Sequence, residues 1–167
     1  LFFHIYNIFC YFLSMKRFLP ALIVFTLLLK IVGVSRSADF QKGVEAYNKS
    51  DYVTALREWV PLAEQGDADV QYSLGVMHDL GQGVRQNYMA AVKWYKLAAE
   101  QGQANAQAAL GQMHQNGEGV PKDLIRAHMW FHIAATAGVK YADEAREILV
   151  KRLSSSEIEK AQNLTRI

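Results

Sequence analysis

The sequence predicts an all-α fold, an α/α superhelix in which about four helical hairpins stack into a solenoid. A 36-residue interval relates Glu64-Gln65-Gly66 to Glu100-Gln101-Gly102 and Leu74-Gly75 to Leu110-Gly111. Apolar residues within each interval are spaced three and four apart, and glycine pairs separate the periodic segments. One hairpin of this kind cannot bury its apolar faces alone, so neighbouring units are expected to share a continuous core.

Each full unit is predicted to contain two helices. Residues 68–80 form the first helix of one unit, because their apolar side chains make a single stripe. The stripe consists of Val70, Leu74, Met77 and Leu80. The loop Gly81-Gln82-Gly83-Val84 follows, and its glycines permit positive φ at the helix end. The second helix, 88–100, carries Trp94 and Tyr95, which are predicted to fill the space between hairpins.

The repeat divides the chain into five segments. Residues 39–66 are predicted to form a first hairpin with a short turn at Asn48-Lys49-Ser50. Residues 67–102 and 103–138 are the two full repeats, and 139–167 form the carboxyl-terminal capping helices. Within the last segment, Ser154 and Glu157 have the spacing of a capping box.

Residues 1–38 differ from the rest of the chain and contain no acidic residue. Lys16 and Arg17 precede the apolar stretch 18–29, a pattern typical of a secretory signal peptide. We expect translation to start at Met15, with residues 1–14 belonging to upstream sequence, and cleavage after Ser35, Ser37 or Ala38. The apolar stretch is shorter than the roughly 20 residues that span a bilayer, although Ile31–Val34 extends it, so an uncleaved anchor remains the alternative. The protein is therefore predicted to be exported, either periplasmic or secreted.

Removal of this leader changes the charge of the protein. The full sequence has 18 Lys and Arg against 16 Asp and Glu. Four basic residues leave with the leader, so 14 basic residues remain against the 16 acidic ones and the net charge becomes −2. A chain without a basic patch is not expected to bind nucleic acid. The single cysteine, Cys10, also leaves, so no disulfide or thiol nucleophile is expected.

The pattern Leu-Gly-x-Met, Gly-x-Gly-Val, Ala-x-x-Trp-Tyr and Ala-Ala at this period resembles the Sel-1-like repeat family, a branch of the tetratricopeptide superfamily. The resemblance covers residues 39–142, and the unit 39–66 is similar to an ordinary tetratricopeptide motif. It implies a right-handed superhelix that serves as an adaptor or scaffold, often in bacterial envelopes or secretion. A secreted branch with paired cysteines is linked to cell-wall ligands, and this sequence departs from it by having no cysteine after Cys10. His78 and His114 stand where the family usually has tyrosine.

The resemblance also implies a binding groove along the first helix of each unit, at positions that face away from the second helix. Phe40, Val44, Tyr47, Tyr72 and Val76 would then be exposed apolar groups, which commonly mark binding surfaces. The alternative is an ordinary solvated face. The candidate groove residues are Phe40, Val44, Tyr47, Asp69, Tyr72, Val76, Asp79, Asn105, Ala108, Gln112 and Gln115.

Three features could suggest chemistry, and each has a structural explanation. His128 and His132 have the i, i+4 spacing of metal ligands, but they flank Trp130-Phe131 at predicted core positions. His78 and His114 recur at equivalent positions, as packing residues do. The glycine pairs lack the lysine and the serine or threonine of a phosphate-binding loop. No catalytic residue, metal or cofactor is therefore predicted.

The sequence thus favours a non-catalytic scaffold, working as a monomer, that binds a protein or peptide. A membrane would be contacted only through an uncleaved leader. The alternative is a protein that binds or hydrolyses a cell-wall ligand such as a muropeptide or a β-lactam-like compound. A structural module within a larger assembly is a third interpretation.

Overall fold

The computed structural model describes residues 39–165, which form helices joined by turns and loops and contain no β-strand. This confirms the predicted all-α fold. The helices are α1 (39–48), α2 (Tyr52–Glu64), α3 (Ala68–Leu80), α4 (Tyr88–Glu100), α5 (Ala104–Asn116), α6 (Leu124–Thr136), α7 (Lys140–Val150) and α8 (Ser155–Leu164). The predicted bounds 68–80 and 88–100 coincide with α3 and α4.

Contacts divide the chain into two compact units, residues 1–41 and 42–167. Only 39–41 of the first unit are described, and the predicted signal peptide lies outside the described residues. Between residues 39 and 165, none of the helices combines the length and the apolar character needed to cross a membrane.

Within the larger unit, helices pack against their neighbours along the chain. The most extensive contacts are between α3 and α4 and between α5 and α6, each pair forming one hairpin. Helix α2 packs against α3, α4 against α5, and α7 against α6, while α8 folds back onto α6. This order of contacts is that of a solenoid, in which each hairpin touches the next one.

The hairpin turns adopt a left-handed conformation at the predicted glycines. Gly81 and Gly117 end α3 and α5 with φ of 69° and 82°, and Gly83 and Gly119 also have positive φ. A side chain at these positions would be strained. Each turn is closed by the same hydrogen bond, which Asn87 N donates to His78 O and Asp123 N donates to His114 O, both at 2.9 Å.

Aromatic rings of the second helices pack on glycines of the first helices. Tyr95 lies over Gly75 and Phe131 over Gly111, so closely that an added Cβ would stand 2.4 Å and 2.7 Å from the ring. Tyr95 is 2% exposed, whereas Trp94 is only half-buried. Both rings are predicted to fill the space between hairpins, but the structure places Tyr95 within its own hairpin, against Gly75 of α3, and leaves Trp94 half-buried.

The apolar stripe of α3 is shorter than predicted. Val70, Leu74 and Met77 are fully buried, but Leu80 is 62% exposed. Leu80 is the last residue of the helix, and the chain turns away at Gly81.

A buried glutamine joins successive hairpins at both repeat junctions. Gln71 Nε2 donates to Ala63 O at 2.9 Å, and Gln107 Nε2 donates to Ala99 O at 3.2 Å. Each carbonyl lies in the last turn of the preceding second helix and also accepts a hydrogen bond from the backbone of the following glycine, Gly66 or Gly102, at 3.0 Å. At the other end of the chain, Ser154 and Glu157 form the predicted capping box at the start of α8.

Candidate partner-binding face

The predicted groove residues of the larger unit differ in exposure. Asp69, Asn105 and Gln112 are exposed. The half-buried ones are Val44, Tyr47, Tyr72, Val76, Asp79 and Gln115. Phe40 belongs to the smaller unit, where it is half-buried. Most of these side chains therefore retain some solvent contact.

Ala108 is the exception and corrects the sequence prediction. It is 0% exposed and packs in a cluster with Phe131, Ala142 and Leu149. Because α7 packs onto α6 at this point, the methyl group of Ala108 is enclosed in the core. Ala108 therefore does not line an open groove.

Tyr47 lies on α1, the first helix of the first hairpin. Its ring stacks on Trp59, with centroids 5.6 Å apart, and meets the edge of Tyr52 at 5.4 Å. The Tyr47 hydroxyl donates to Gln82 Oε1 of the next hairpin at 3.0 Å. This side chain thus joins two hairpins and shows part of its surface to solvent.

Tyr72 and Asp79 lie on the next first helix, α3. The Tyr72 ring is 5.8 Å from that of Tyr95, and the Tyr95 hydroxyl donates to Asp79 Oδ2 at 3.2 Å. Burial raises the pKa of the Tyr72 phenol above its usual value, and nearby Tyr47 and Asp79 raise it further. Tyr72 is therefore a neutral hydrogen-bonding group at physiological pH.

Tyr141 is a surface tyrosine that the sequence prediction missed. It lies in the first turn of α7 and is 47% exposed. Partial burial raises the pKa of the Tyr141 phenol, and the nearby Tyr72 raises it further. The signal was present in the sequence, since the 36-residue register leads from Asp69 through Asn105 to residue 141. We call the surface formed by Tyr47, Tyr72, Tyr141 and Asp79 the tyrosine face.

Asp79 is the charged group of the tyrosine face. Burial raises the pKa of its carboxyl, the hydrogen bond from Tyr95 opposes this, and the nearby Glu118 raises the pKa further. No lysine or arginine within residues 39–165 forms an ion pair with Asp79 or Glu118. The negative charge of Glu118 therefore acts on Asp79 while neither carboxyl group forms an ion pair within the described chain.

The histidines singled out by the sequence are packing residues. His114 and His128 are buried and His78 is half-buried, and desolvation lowers the pKa of each imidazole. The rings of His128 and His132 lie parallel with centroids 6.5 Å apart. Among the described residues, no three His, Cys, Asp or Glu side chains come together as a metal site would require.

A cavity of about 380 Å³ opens between α6 and α7. Its lining residues include His132, Lys140 and Arg146. Arg146 is already engaged, because its Nη2 lies 2.9 Å from Asp143 and 2.7 Å from Glu147. Its positive charge is consequently compensated within α7.

Comparison with known proteins places the repeats in a family. The model described as Sel1 repeat matches residues 68–103 and 104–139, each starting one residue later than predicted. No curated protein matches the chain.

Two solved structures share the fold. One is c5321, a protective antigen present in uropathogenic Escherichia coli strains displaying an SLR fold, with 28% identity and a TM-score of 0.74 over 78% of this chain and 29% of its own. The other is a Sel1 repeat protein from Oxalobacter formigenes, with 32% identity and a TM-score of 0.63 over 65% of this chain and 45% of its own. This chain thus spans less than half the length of either structure.

Proposed function

We propose that this chain, which contains two Sel1 repeats, is a non-catalytic scaffold whose tyrosine face binds a protein or peptide segment. One observation carries the proposal. Tyr47, Tyr72 and Tyr141 lie on α1, α3 and α7 of three different hairpins, and each side chain is partly exposed. They are also near enough for Tyr47 to raise the pKa of Tyr72 and for Tyr72 to raise that of Tyr141, each in addition to burial. Tyrosine contributes large contact area and a hydrogen-bonding hydroxyl at low entropic cost, which is why it is enriched at interfaces.

The polar residues around these rings support recognition of a peptide backbone. Gln112 and Asn105 are exposed on α5, and Gln115 is half-buried on the same helix. Side-chain amides both donate and accept hydrogen bonds, so they can pair with the N–H and C=O groups of an extended segment.

Two double variants test the proposal. Tyr72→Ala with Tyr141→Ala should weaken binding of the partner recovered by crosslinking at least tenfold, because interface tyrosines often contribute about 2 kcal/mol each. Tyr47 is left intact, since its ring packs on Trp59. The matched control is Val53→Ala with Met89→Ala, which removes two side chains exposed at 70% and 72% on the second helices.

Affinity is measured by isothermal calorimetry, with circular dichroism to show that both variants fold. Equal binding by wild type and the tyrosine variant would refute the tyrosine face as the site. A rise in Tm with muropeptides or β-lactams, lost in the tyrosine variant, would instead favour a cell-wall ligand.

We also propose that the protein is exported to the periplasm or the cell exterior. The charged and apolar order of residues 15–38 supports export, and its structural neighbour from uropathogenic strains is a protective antigen. Mass spectrometry of protein expressed from its native locus should find an amino terminus between Arg36 and Phe40. An intact leader on the protein would contradict cleavage and indicate an anchored form.

A further inference from the structure

The tyrosine face differs in charge from one hairpin junction to the next. At the first junction, Tyr47 pairs with Gln82 through a neutral hydrogen bond of 3.0 Å. Asp79 occupies the position of α3 that corresponds to Tyr47 of α1, because each lies four residues after the glycine on which an aromatic ring packs, Gly75 or Gly43. Glu118 corresponds to Gln82, since the two are 36 residues apart. The second junction therefore places two carboxyl groups where the first has a hydrogen-bonded tyrosine and glutamine.

The second junction is unfavourable for the isolated chain. Two carboxylates repel each other, and partial burial of Asp79 removes much of the water that would screen the repulsion. Asp79 receives one hydrogen bond, from Tyr95, and Glu118 receives one, from Asn116 at 3.1 Å. Both donors are neutral, so the negative charge is stabilised but remains uncompensated.

The helices that carry this junction offer no compensating charge. Helices α3 and α5 contain Asp69 and Asp79 but no lysine or arginine. The side chains that donate hydrogen bonds to the two carboxyl groups are a tyrosine and an amide, Tyr95 and Asn116. An aromatic surface with net negative charge is complementary to a lysine or arginine side chain, whose cation can lie against a tyrosine ring and pair with a carboxylate.

We propose that the segment bound by the tyrosine face carries a lysine or arginine, which pairs with Asp79 and Glu118. This inference rests on the proposed peptide-binding function and specifies the chemistry of its partner. At the first junction, Tyr47 and Gln82 are joined by a direct hydrogen bond; at the second, the cation of the bound segment joins the two carboxyl groups. Tyr72 contacts the aliphatic part of that lysine or arginine side chain. Neighbouring backbone groups of the segment reach the amides of α5.

An unbiased test is selection from a displayed library of random twelve-residue peptides on the purified full chain. Selected peptides should be enriched in lysine or arginine, and their synthetic forms should bind more weakly as salt rises from 50 to 500 mM, because exposed charge pairs are screened. Glutamine replacement of the enriched cation should weaken binding about tenfold or more.

The matching protein variant is Asp79→Asn with Glu118→Gln. It removes both charges, and the asparagine oxygen can still accept the Tyr95 hydrogen bond, so the fold is retained. Affinity for the selected peptides should fall about tenfold or more. The control, Glu64→Gln with Glu100→Gln, removes the same charge at the ends of α2 and α4 and should change affinity less than twofold.

The outcomes separate the two proposals. Selected peptides without a lysine or arginine preference that still need Tyr72 and Tyr141 would overturn the cationic partner and leave the binding face in place. Peptides that need neither the carboxyl groups nor the tyrosines, or a library that yields no binder, would overturn both.

Discussion

Gly75 and Gly111 decide which of two adjacent aromatic residues enters the core. Each glycine leaves a hollow on its first helix, and the ring that fills it comes from the position shared by Tyr95 and Phe131. Trp94 and Trp130 precede these residues by one position, about 100° away around the helix, and both are only half-buried. Stability therefore depends on the second aromatic of each pair.

Substitution of the two neighbours by alanine should have unequal effects. Tyr95→Ala removes a buried ring, opens a cavity and loses the hydrogen bond to Asp79, so it should lower the free energy of unfolding by about 3 to 5 kcal/mol. Trp94→Ala removes a half-buried side chain and should cost about 1 to 2 kcal/mol. Urea denaturation followed by circular dichroism measures both, and the reverse order would show that the side-chain assignment of α4 is wrong.

Adjacent aromatic residues show the limit of the sequence at this scale. The period of the apolar residues predicted a core aromatic on each second helix, but Trp94 and Tyr95 both fit that pattern. The choice depends on which one meets a glycine of another helix. Ala108 is similar, because a small residue on a first helix can face a groove or the core, and the packing of α7 places it in the core.

Helix ends were more predictable than side-chain positions. Asp67 and Asn87 cap α3 and α4 through their own side chains, and Gly81 ends α3 in a left-handed conformation. Such signals act within a few residues of the chain, so they can be recognised without knowledge of the neighbours. The same reasoning located α8 through its capping box.

The capping box should contribute measurably to the carboxyl-terminal helix. Ser154→Ala removes the acceptor for Glu157 N and should destabilise the protein by about 1 kcal/mol. Ser156→Ala changes an exposed serine within the same helix and serves as the control. Thermal unfolding compares the two, and equal Tm values for the variants would mean that α8 is held by its contact with α6 alone.

For the molecule as a whole, histidines that are buried or half-buried link stability to pH. The pKa values of His78, His114 and His128 are lowered by burial, so the unfolded chain binds protons more readily than the folded one. Their contribution is complete above the unfolded pKa of about 6.5 and is lost as pH falls through that value toward the lowered folded pKa values. The folded pKa of Asp79 is raised, so this one group stabilises the folded state as pH falls and opposes the effect of the three histidines.

Acidification from pH 7.5 to 5.5 should therefore lower Tm by roughly 3 to 8 °C. Replacing His78 and His114 by tyrosine, the residue usual in the family at these positions, removes two of the three titrating groups and should flatten the dependence. Differential scanning calorimetry at constant ionic strength provides the measurement. A Tm that is constant over this range would exclude the histidines as the source of acid sensitivity.

The glutamine hydrogen bonds between hairpins affect how a repeat protein of this type can gain further repeats by gene duplication. Gln71 reaches Ala63 and Gln107 reaches Ala99 through the same donor and acceptor, one repeat apart. Duplicating residues 68–103 in tandem would therefore create a junction whose two sides already match, and every older junction would keep its contacts. Genetic duplication can thus lengthen the chain one hairpin at a time without a destabilised intermediate, and each added copy brings its own Tyr72 and Asp79.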